Sequence, residues 1–214
     1  MKKTFTQSAQ EKHFRVAIFG SARIKKGDKT YKLVYELAKK IGERSIDIVT
    51  GGGPGLMSAA TEGHASGDKK HKSHSYGLLI KLPSEQKSAK HLDIKREFEH
   101  FTDRLDTFMV LSNAVVVAPG GLGTLLEFIY TWQLVQLKEI CDIPIILLGE
   151  QWHELIDWIK KHPIKNRFMS PSDLNSIFFA NTLEQAMNII NHTYKMYKQG
   201  DKDICLNIRK YKLR

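Results

Sequence analysis

Short apolar segments alternate with longer amphipathic ones along this chain, and the alternation predicts a fold of mixed strands and helices. Uninterrupted apolar runs are typical of strands buried on both faces, whereas apolar residues at helical spacing indicate amphipathic helices. The runs predict strands over residues 15–19, 46–49, 76–80, 114–118, 143–148 and, as a short one, 177–179. Helical spacing predicts helices over residues 30–43, 56–65, 103–112, 124–137, 150–161 and 182–197. The polar stretch 84–100 receives no assignment.

The regular order of strand and helix predicts an α/β fold with a doubly wound parallel sheet, Rossmann-like, in a single domain. We expect this domain to span residues 15–198, after an N-terminal extension 1–14 and before a charged, loosely held basic tail 199–214. No segment within it resembles a linker or an internal repeat. In such a sheet, ligands bind beyond the carboxyl ends of the strands, where the chain turns into the helices.

The composition of the chain limits which binding partners and which cellular compartment we expect. The formal net charge is +10, but the lysines are spread along the chain, so we interpret them as a basic solvated surface that attracts anionic metabolites rather than nucleic acid. No apolar window reaches the roughly 20 residues of a membrane helix, and residues 1–14 lack the apolar run of a secretory signal. Cys141 and Cys205 are far apart, which fits a reducing cytosol and argues against a disulfide framework. A cytoplasmic protein without a membrane partner is predicted.

Two glycine-rich segments follow predicted strands. Residues 51–55 read Gly-Gly-Gly-Pro-Gly, and residues 120–123 read Gly-Gly-Leu-Gly. Backbone N–H groups in such a turn can point into one concavity, to which the next helix adds its positive end. A single loop of this kind is as readily only a tight connection between a strand and a helix. Two such loops, each after a predicted strand, favour a phosphate-binding site. Since the sequence contains neither the Walker A nor the dinucleotide pattern, we expect a nucleoside monophosphate or a sugar phosphate as ligand, and no cofactor.

Two charged side chains near these loops are candidates for chemistry, and each has a structural alternative. Glu127 follows the second glycine loop by one helical turn, but its spacing from Thr124 also fits a capping box, which spacing alone favours. Arg104 opens the predicted helix 103–112, where pairing with Asp103 or Asp106 at the surface is the alternative to an anion-binding role.

Three histidines invite a metal interpretation. His64, His71 and His74 lie in and around a lysine-rich loop, with only Asp68 nearby as an oxygen ligand and with no cysteine. This set is a poor match to known zinc spacings, so no metal site is predicted.

The segment 119–127, Pro-Gly-Gly-Leu-Gly-Thr-Leu-Leu-Glu, resembles the P-G-G-x-G-T-x-x-E motif of the LOG ("Lonely guy") family of cytokinin riboside 5'-monophosphate phosphoribohydrolases. The segment 51–57, Gly-Gly-Gly-Pro-Gly-Leu-Met, is similar to the second glycine motif of that family. Gly20-Ser21, the segment 82–86 and the position of Arg104 fit as well. The resemblance runs from about residue 16 to residue 190 and implies a Rossmann-like fold similar to the MoCo carrier proteins.

This resemblance assigns roles to residues. It implies that Arg104 and Glu127 are catalytic, and it therefore moves the interpretation of Glu127 from cap to catalyst. It also implies a homodimer and a pocket for a nucleoside monophosphate. The residues expected to bind phosphate or line that pocket are Gly20, Ser21, Gly52, Gly53, Gly55, Gly120, Gly121, Gly123 and Thr124.

The sequence departs from the family pattern at two positions. Leu105 follows Arg104 where the family usually has lysine, and Leu126 replaces the first of two paired glutamates. The run 104–108 is more similar to the bacterial nucleotide 5'-monophosphate nucleosidases. We therefore expect hydrolysis of AMP-like nucleotides, with cytokinin riboside monophosphates among the candidates, to free base and ribose 5-phosphate. A nucleotide-binding sensor without turnover is the alternative, and a pyridoxal-phosphate lysine decarboxylase is a more distant one.

Overall fold

The computed structural model describes residue 5 and residues 13–81 and 88–200, and within them seven strands form one parallel sheet. The order of the strands across the sheet is β4-β3-β2-β1-β5-β6-β7, and every neighbouring pair is parallel. The predicted doubly wound α/β fold is confirmed. The strands are β1 Arg15–Phe19, β2 Asp47–Thr50, β3 Ser75–Ile80, β4 Ile94–Phe98, β5 Ala114–Val117, β6 Ile145–Leu148 and β7 Ile177–Ala180.

Six α-helices cover the two faces of this sheet in the described part of the chain. They are α1 Lys29–Glu43, α2 Leu56–Gly67, α3 Phe101–Leu111, α4 Leu122–Gln136, α5 Gln151–Ile159 and α6 Leu183–Lys198. A π-helical turn, Lys160–Ile164, extends α5, and a 3₁₀ helix, Pro171–Ser176, precedes β7. Helices α1, α2 and α6 build the core on one face, and α3, α4 and α5 build the core on the other.

The apolar runs form strands because both faces of the central sheet are covered. In β1, Val16 and Ile18 enter one core while Ala17 and Phe19 enter the other, and all four are buried. A strand in that position has no solvent-facing side for polar residues, which explains the uninterrupted apolar sequence.

Strand β4 lies within the stretch 84–100, for which the sequence predicted neither helix nor strand. It lies at the edge of the sheet, and its side chains alternate between partly buried and exposed until the buried Phe98. The charged residues Lys95, Arg96 and Glu97 obscured the pattern, since an edge strand can carry charge and is often protected by it. The predicted family segment 82–86 and the tail from residue 201 onward lie outside the described residues, so the boundaries at residues 14 and 199 stay predictions.

Two further expectations concern the cysteines and the hydropathy. Cys205, the second of the two cysteines in the sequence, lies outside the described residues, so the expectation of reduced cysteines stays a prediction. Among the described helices, none combines the length and apolar character that crossing a membrane requires.

Helices α1 and α2 pack backbone against backbone. A β-carbon placed on Gly63 would lie 2.1 Å from the backbone oxygen of Tyr35, and one on Gly67 would lie 2.0 Å from that of Lys39. These distances leave no space for any side chain at the two glycines. The contact holds α2, and therefore the glycine loop that precedes it, firmly against α1.

Candidate functional site

Three loops meet at the carboxyl ends of the central strands. Strands β1 and β5 are neighbours, and the strand order reverses between them, which creates the crevice where ligands bind in doubly wound sheets. The backbone N–H of Ser21, after β1, donates to the carbonyl oxygen of Pro119, after β5, at 3.0 Å. The carbonyl oxygen of Ser21 accepts from the N–H of Leu56, the first residue of α2, at 2.9 Å. The structure therefore brings Gly20-Ser21 and both glycine loops together.

The first glycine loop needs glycine for its own geometry. Gly55 is the N-cap of α2 with φ +69°, and a β-carbon there would lie 2.4 Å from the carbonyl oxygen of Ser21. Gly52 also has positive φ, and its N–H donates to the Thr50 hydroxyl at 3.2 Å. Gly53 donates its N–H to the sulfur of Met57 at 3.4 Å. The predicted residues Gly52, Gly53 and Gly55 thus form one tight turn between β2 and α2.

The second glycine loop is different, because the fold does not need glycine at two of its positions. β-carbons on Gly121 and Gly123 would have open space around them, and neither residue has positive φ. Gly121 is the N-cap of α4, and as a glycine it makes no side-chain capping hydrogen bond to that helix end. The N–H groups of the first turn and the positive end of the helix dipole are therefore accessible to an anion.

The Thr124 side chain packs against Gly120 within this loop. A β-carbon on Gly120 would lie 2.0 Å from the hydroxyl oxygen of Thr124, so the absence of a side chain lets that hydroxyl approach the loop. Thr124 is buried in the first turn of α4.

The capping-box interpretation of Glu127 was wrong. Helix α4 begins at Leu122, two residues earlier than predicted, so Thr124 lies inside the first turn and Glu127 lies in the second. A capping glutamate must be the third helical residue to reach the backbone of the cap. The Glu127 side chain instead turns toward the neighbouring helix α3.

Arg104 and Glu127 form a buried ion pair. The Nη1 of Arg104 lies 3.1 Å from Oε1 of Glu127, and both side chains are about nine-tenths buried, with 10% and 11% of their surface exposed. The Nε–H of Arg104 donates to the carbonyl oxygen of Leu78 at 2.7 Å, and the guanidinium lies over the ring of Phe108, 5.1 Å from its centroid. The surface pairing of Arg104 with Asp103 or Asp106 was therefore wrong.

Burial dominates the electrostatics of this pair. It raises the pKa of Glu127 to about 7, although the charge of Arg104 and its hydrogen bond act in the opposite direction. Burial also lowers the pKa of Arg104, again against the effect of its partner. A carboxyl group that titrates near neutral pH can take up or release a proton during a reaction, and such groups concentrate at functional sites.

The sequence interpretation did not identify three contacts of Arg104. A β-carbon on Gly51 would lie 2.4 Å from Nη2 of Arg104, so the guanidinium rests against the first glycine loop. The oxygen of Leu78 and the ring of Phe108 complete its surroundings. Only Phe108 gave a sequence signal, since it lies four residues after Arg104 on one helix and thus on the same face.

The histidines His64, His71 and His74, for which no metal site was predicted, form no shared ligand cluster among the described residues. The Nε2 of His64 lies 2.9 Å from the oxygen of Ile46 and 3.2 Å from the hydroxyl of Ser73, inside the core. Asp68 accepts from the N–H groups of Lys72 and Ser73 and closes the turn. Both side chains therefore have structural roles.

The fold and the site together define a class. A doubly wound parallel sheet with two glycine loops and a buried Arg–Glu pair at its switch point defines a Rossmann-like α/β protein with a crevice at that point. Residues 57–190 match the model of a family described as "Possible lysine decarboxylase". The chain belongs to this family, which includes the LOG proteins.

Curated relatives carry names from nucleotide metabolism. A protein of Oryza sativa subsp. japonica named "Probable cytokinin riboside 5'-monophosphate phosphoribohydrolase" is 30% identical over 185 residues, which is 83% of this chain and 70% of the relative. The pyrimidine/purine nucleotide 5'-monophosphate nucleosidase of Escherichia coli (strain K12) is 27% identical over 128 residues, or 56% of this chain but only 28% of that protein.

Solved structures support the fold. The molybdenum cofactor binding protein of Rippkaea orientalis superposes with a TM-score of 0.63 at 20% identity, covering 86% of this chain and 99% of that one. At this identity the likeness shows the architecture alone.

Proposed function

We propose that this protein hydrolyses the N-glycosidic bond of nucleoside 5'-monophosphates and releases the free base and ribose 5-phosphate. The observation that carries the proposal is the buried Arg104–Glu127 pair, with its carboxyl pKa of about 7, beside an uncapped helix end. The names of the curated relatives support the same reaction class. The activity is that of a phosphoribohydrolase, or AMP nucleosidase, with AMP-like nucleotides as substrates.

The phosphate would bind at the start of α4. The N–H groups of Leu122, Gly123 and Thr124 belong to the first turn of this helix, whose cap residue, Gly121, has no side chain to bond them. A doubly charged phosphate is stabilised there by hydrogen bonds and by the helix dipole. Binding energy from this remote group then orients the ribose toward Glu127.

Glu127 would act on the ribose. Hydrolysis joins a water oxygen to C1′ and breaks the C1′–N bond, whose electron pair leaves with the base. Positive charge develops on the ribose in the transition state. The Glu127 carboxylate stabilises this charge and accepts the proton of the attacking water, and the base takes a proton from solvent.

Arg104 would position Glu127. Its guanidinium is already held by the oxygen of Leu78 and the ring of Phe108, so it presents the carboxylate in one orientation. Its positive charge also keeps a larger fraction of Glu127 ionised at neutral pH than burial alone would allow.

The lysine decarboxylase activity that the family description suggests has less support. A pyridoxal-phosphate enzyme needs a lysine for the Schiff base. The loops 20–23, 51–55 and 119–124 and the Arg104–Glu127 pair contain no lysine. Absorption of the cofactor in the purified protein would reverse this preference.

The test is product chromatography after incubation of the pure protein with AMP, GMP, IMP, CMP, UMP and an N6-prenylated AMP. We expect free base from wild type and a loss of rate of about 100- to 10 000-fold in Glu127→Gln. Glu184→Gln, which alters an exposed glutamate at the start of α6, is the matched control and should keep full rate. The base released fastest identifies the preferred substrate.

Binding of the nucleotides is measured in parallel by calorimetry. If they bind but wild type releases no base from any of them, the hydrolase proposal fails and a nucleotide-binding sensor takes its place. If Glu127→Gln keeps the wild-type rate, the assignment of Glu127 fails although the activity stands.

We also propose that the protein is a cytoplasmic homodimer that uses α4. Leu122, Leu126 and Ile129 lie on one side of this helix at helical spacing and are exposed, Leu122 to 86%. Apolar side chains grouped in this way are typical of protein interfaces. Leu126→Glu should convert a dimer to a monomer in analytical ultracentrifugation, and a wild-type monomer at micromolar concentration would contradict the proposal.

A further inference from the structure

Three potential metal ligands meet at the amino ends of the strands, at the opposite end of the sheet from the candidate site. His13 precedes β1, Asp47 is the first residue of β2, and His74 precedes β3, so all three lie at the amino ends of adjacent parallel strands. One ligand atom from each lies within 4.8 Å of those of the other two. The proposed catalytic pair lies at the carboxyl ends and does not involve this cluster.

The carboxylate at the centre of the cluster is buried and oriented. Asp47 is 1% exposed, and its Oδ1 accepts the backbone N–H of His74 at 2.9 Å. The Nδ1 atoms of His13 and His74 lie 3.3 and 3.9 Å from its two oxygens. A backbone contact that orients a ligating carboxylate is a common feature of metal sites.

Two atoms of the cluster lack hydrogen bonds that burial normally demands. Within the part of the chain that the structure describes, Nδ1 of His74 and Oδ2 of Asp47 are buried without a hydrogen-bond partner of proper geometry. Leaving buried polar atoms without hydrogen bonds is unfavourable, although Oδ2 of Asp47 keeps ion-pair contacts with His13 and Arg15. A metal ion bound to both atoms would remove this cost.

The spacing fits a small transition-metal ion. Bonds of about 2.0 Å in tetrahedral geometry place two ligand atoms roughly 3.3 Å apart. The His13–Asp47 distance already matches at 3.3 Å, and the longer distance to His74 closes by rotation of a side chain that is 32% exposed. Two imidazoles and one carboxylate suit Zn²⁺ and its neighbours better than the hard ions Mg²⁺ and Ca²⁺.

Arg15 is the charge that opposes a cation here. Its Nε lies 3.4 Å from Oδ2 of Asp47, but its guanidinium also lies over the ring of Tyr76, 5.2 Å from the centroid. The aromatic ring offsets part of the positive charge, and the Asp47 carboxylate contacts both histidines as well as Arg15.

We propose that His13, Asp47 and His74 bind one divalent transition-metal ion, of which Zn²⁺ is the representative, with solvent at the fourth position. The ion joins the amino ends of β1, β2 and β3. The role of the ion is to stabilise the sheet, since it lies at the amino ends of the strands and the proposed reaction takes place at their carboxyl ends.

The experiment uses untagged full-length protein stripped with EDTA and titrated with Zn²⁺ in competition with a chromophoric chelator. We expect one tight site per chain and an increase in the melting temperature of roughly 5–10 °C at a free Zn²⁺ concentration 100 times the dissociation constant. Co²⁺ in place of Zn²⁺ should give the intense visible absorption of four-coordinate cobalt.

Variants separate this site from other histidines. His13→Ala and His74→Ala, at partly exposed positions, should each weaken Zn²⁺ binding more than about 100-fold. His71→Ala, an exposed histidine in the loop before His74, is the matched control and should bind as wild type does. The absence of a tight site in wild type, or equal binding by all three variants, would overturn the proposal. Base release is measured on the same samples and should not depend on Zn²⁺, so the two proposals fail separately.

Discussion

Replacement of Arg104 by methionine gives the sharpest test of how the candidate site works. Methionine keeps most of the volume of the side chain but removes the charge that lies 3.1 Å from Glu127. Without that charge, burial acts on the carboxyl unopposed, so the pKa of Glu127 should rise above its wild-type value of about 7. Arg104→Lys is the matched control, because lysine keeps the charge while losing the fixed geometry.

The size of the effect follows from the distance. Two unit charges at this separation interact by about 5 kcal/mol at an effective dielectric constant of 20, which sets a ceiling of about 4 on the change in pKa. Neighbouring opposite charges in proteins usually change the pKa of a carboxyl group by about 1 to 3. We therefore expect an increase of about 1 to 3 in Arg104→Met and a much smaller one in Arg104→Lys.

The assay is carbon NMR of the protein labelled at the glutamate carboxyl carbons, titrated from pH 4 to pH 10. Glu127→Gln assigns the resonance, and the measurement needs no substrate. A wild-type pKa near 4.5 would refute the claim that burial dominates at Glu127. An unchanged pKa in Arg104→Met would refute the coupling of the two residues.

Three other predictions rest on single features. The pKa of Glu127 rises from 4.5 to about 7 on folding. The contribution of this group to stability is therefore complete below pH 4.5 and is lost as the pH rises through 7. Relative to Glu127→Gln, the free energy of unfolding of wild type, measured in urea titrations, should fall over this range by about 3 kcal/mol. Gly123→Ala should stabilise α4 by up to about 1 kcal/mol yet raise KM at least about tenfold, whereas Gly55→Ala should destabilise by about 1–3 kcal/mol. Thr182→Ala removes the capping hydrogen bond to the N–H of Gln185 at the start of α6, and should cost about 1 kcal/mol in thermal unfolding.

The sequence predicted every strand of the sheet except β4, which lies at one of its two edges. Strands such as β1 and β5 are covered on both faces, and a continuous apolar run can serve no other position. Strand β4 has a neighbour on one side only, so its sequence carries charge and resembles a loop. The start of α4 was misplaced because Thr124 is a favourable cap, while the actual cap, Gly121, provides no side chain that spacing rules could recognise.

The candidate site was only partly accessible from the sequence. The glycine loops carry local signals, and the family resemblance singled out Arg104 and Glu127. The contact between these two depends on how α3 and α4 lie across one face of the sheet, which neither segment encodes alone. The same holds for His13, Asp47 and His74, which are far apart in the sequence and meet only because β1, β2 and β3 are parallel neighbours.

The backbone contact between α1 and α2 determines which half of the protein can move when a ligand binds. Shear between helices depends on side chains that exchange one packing for another. Gly63 and Gly67 provide no side chains that could exchange, so α2 and the loop before it should behave as a fixed wall of the crevice. Any closure over a nucleotide would then come from the opposite wall, where α3 and α4 carry Arg104 and Glu127. Hydrogen exchange that slows on nucleotide binding in α3 and α4, but not in α2, would be the signature of such a one-sided hinge.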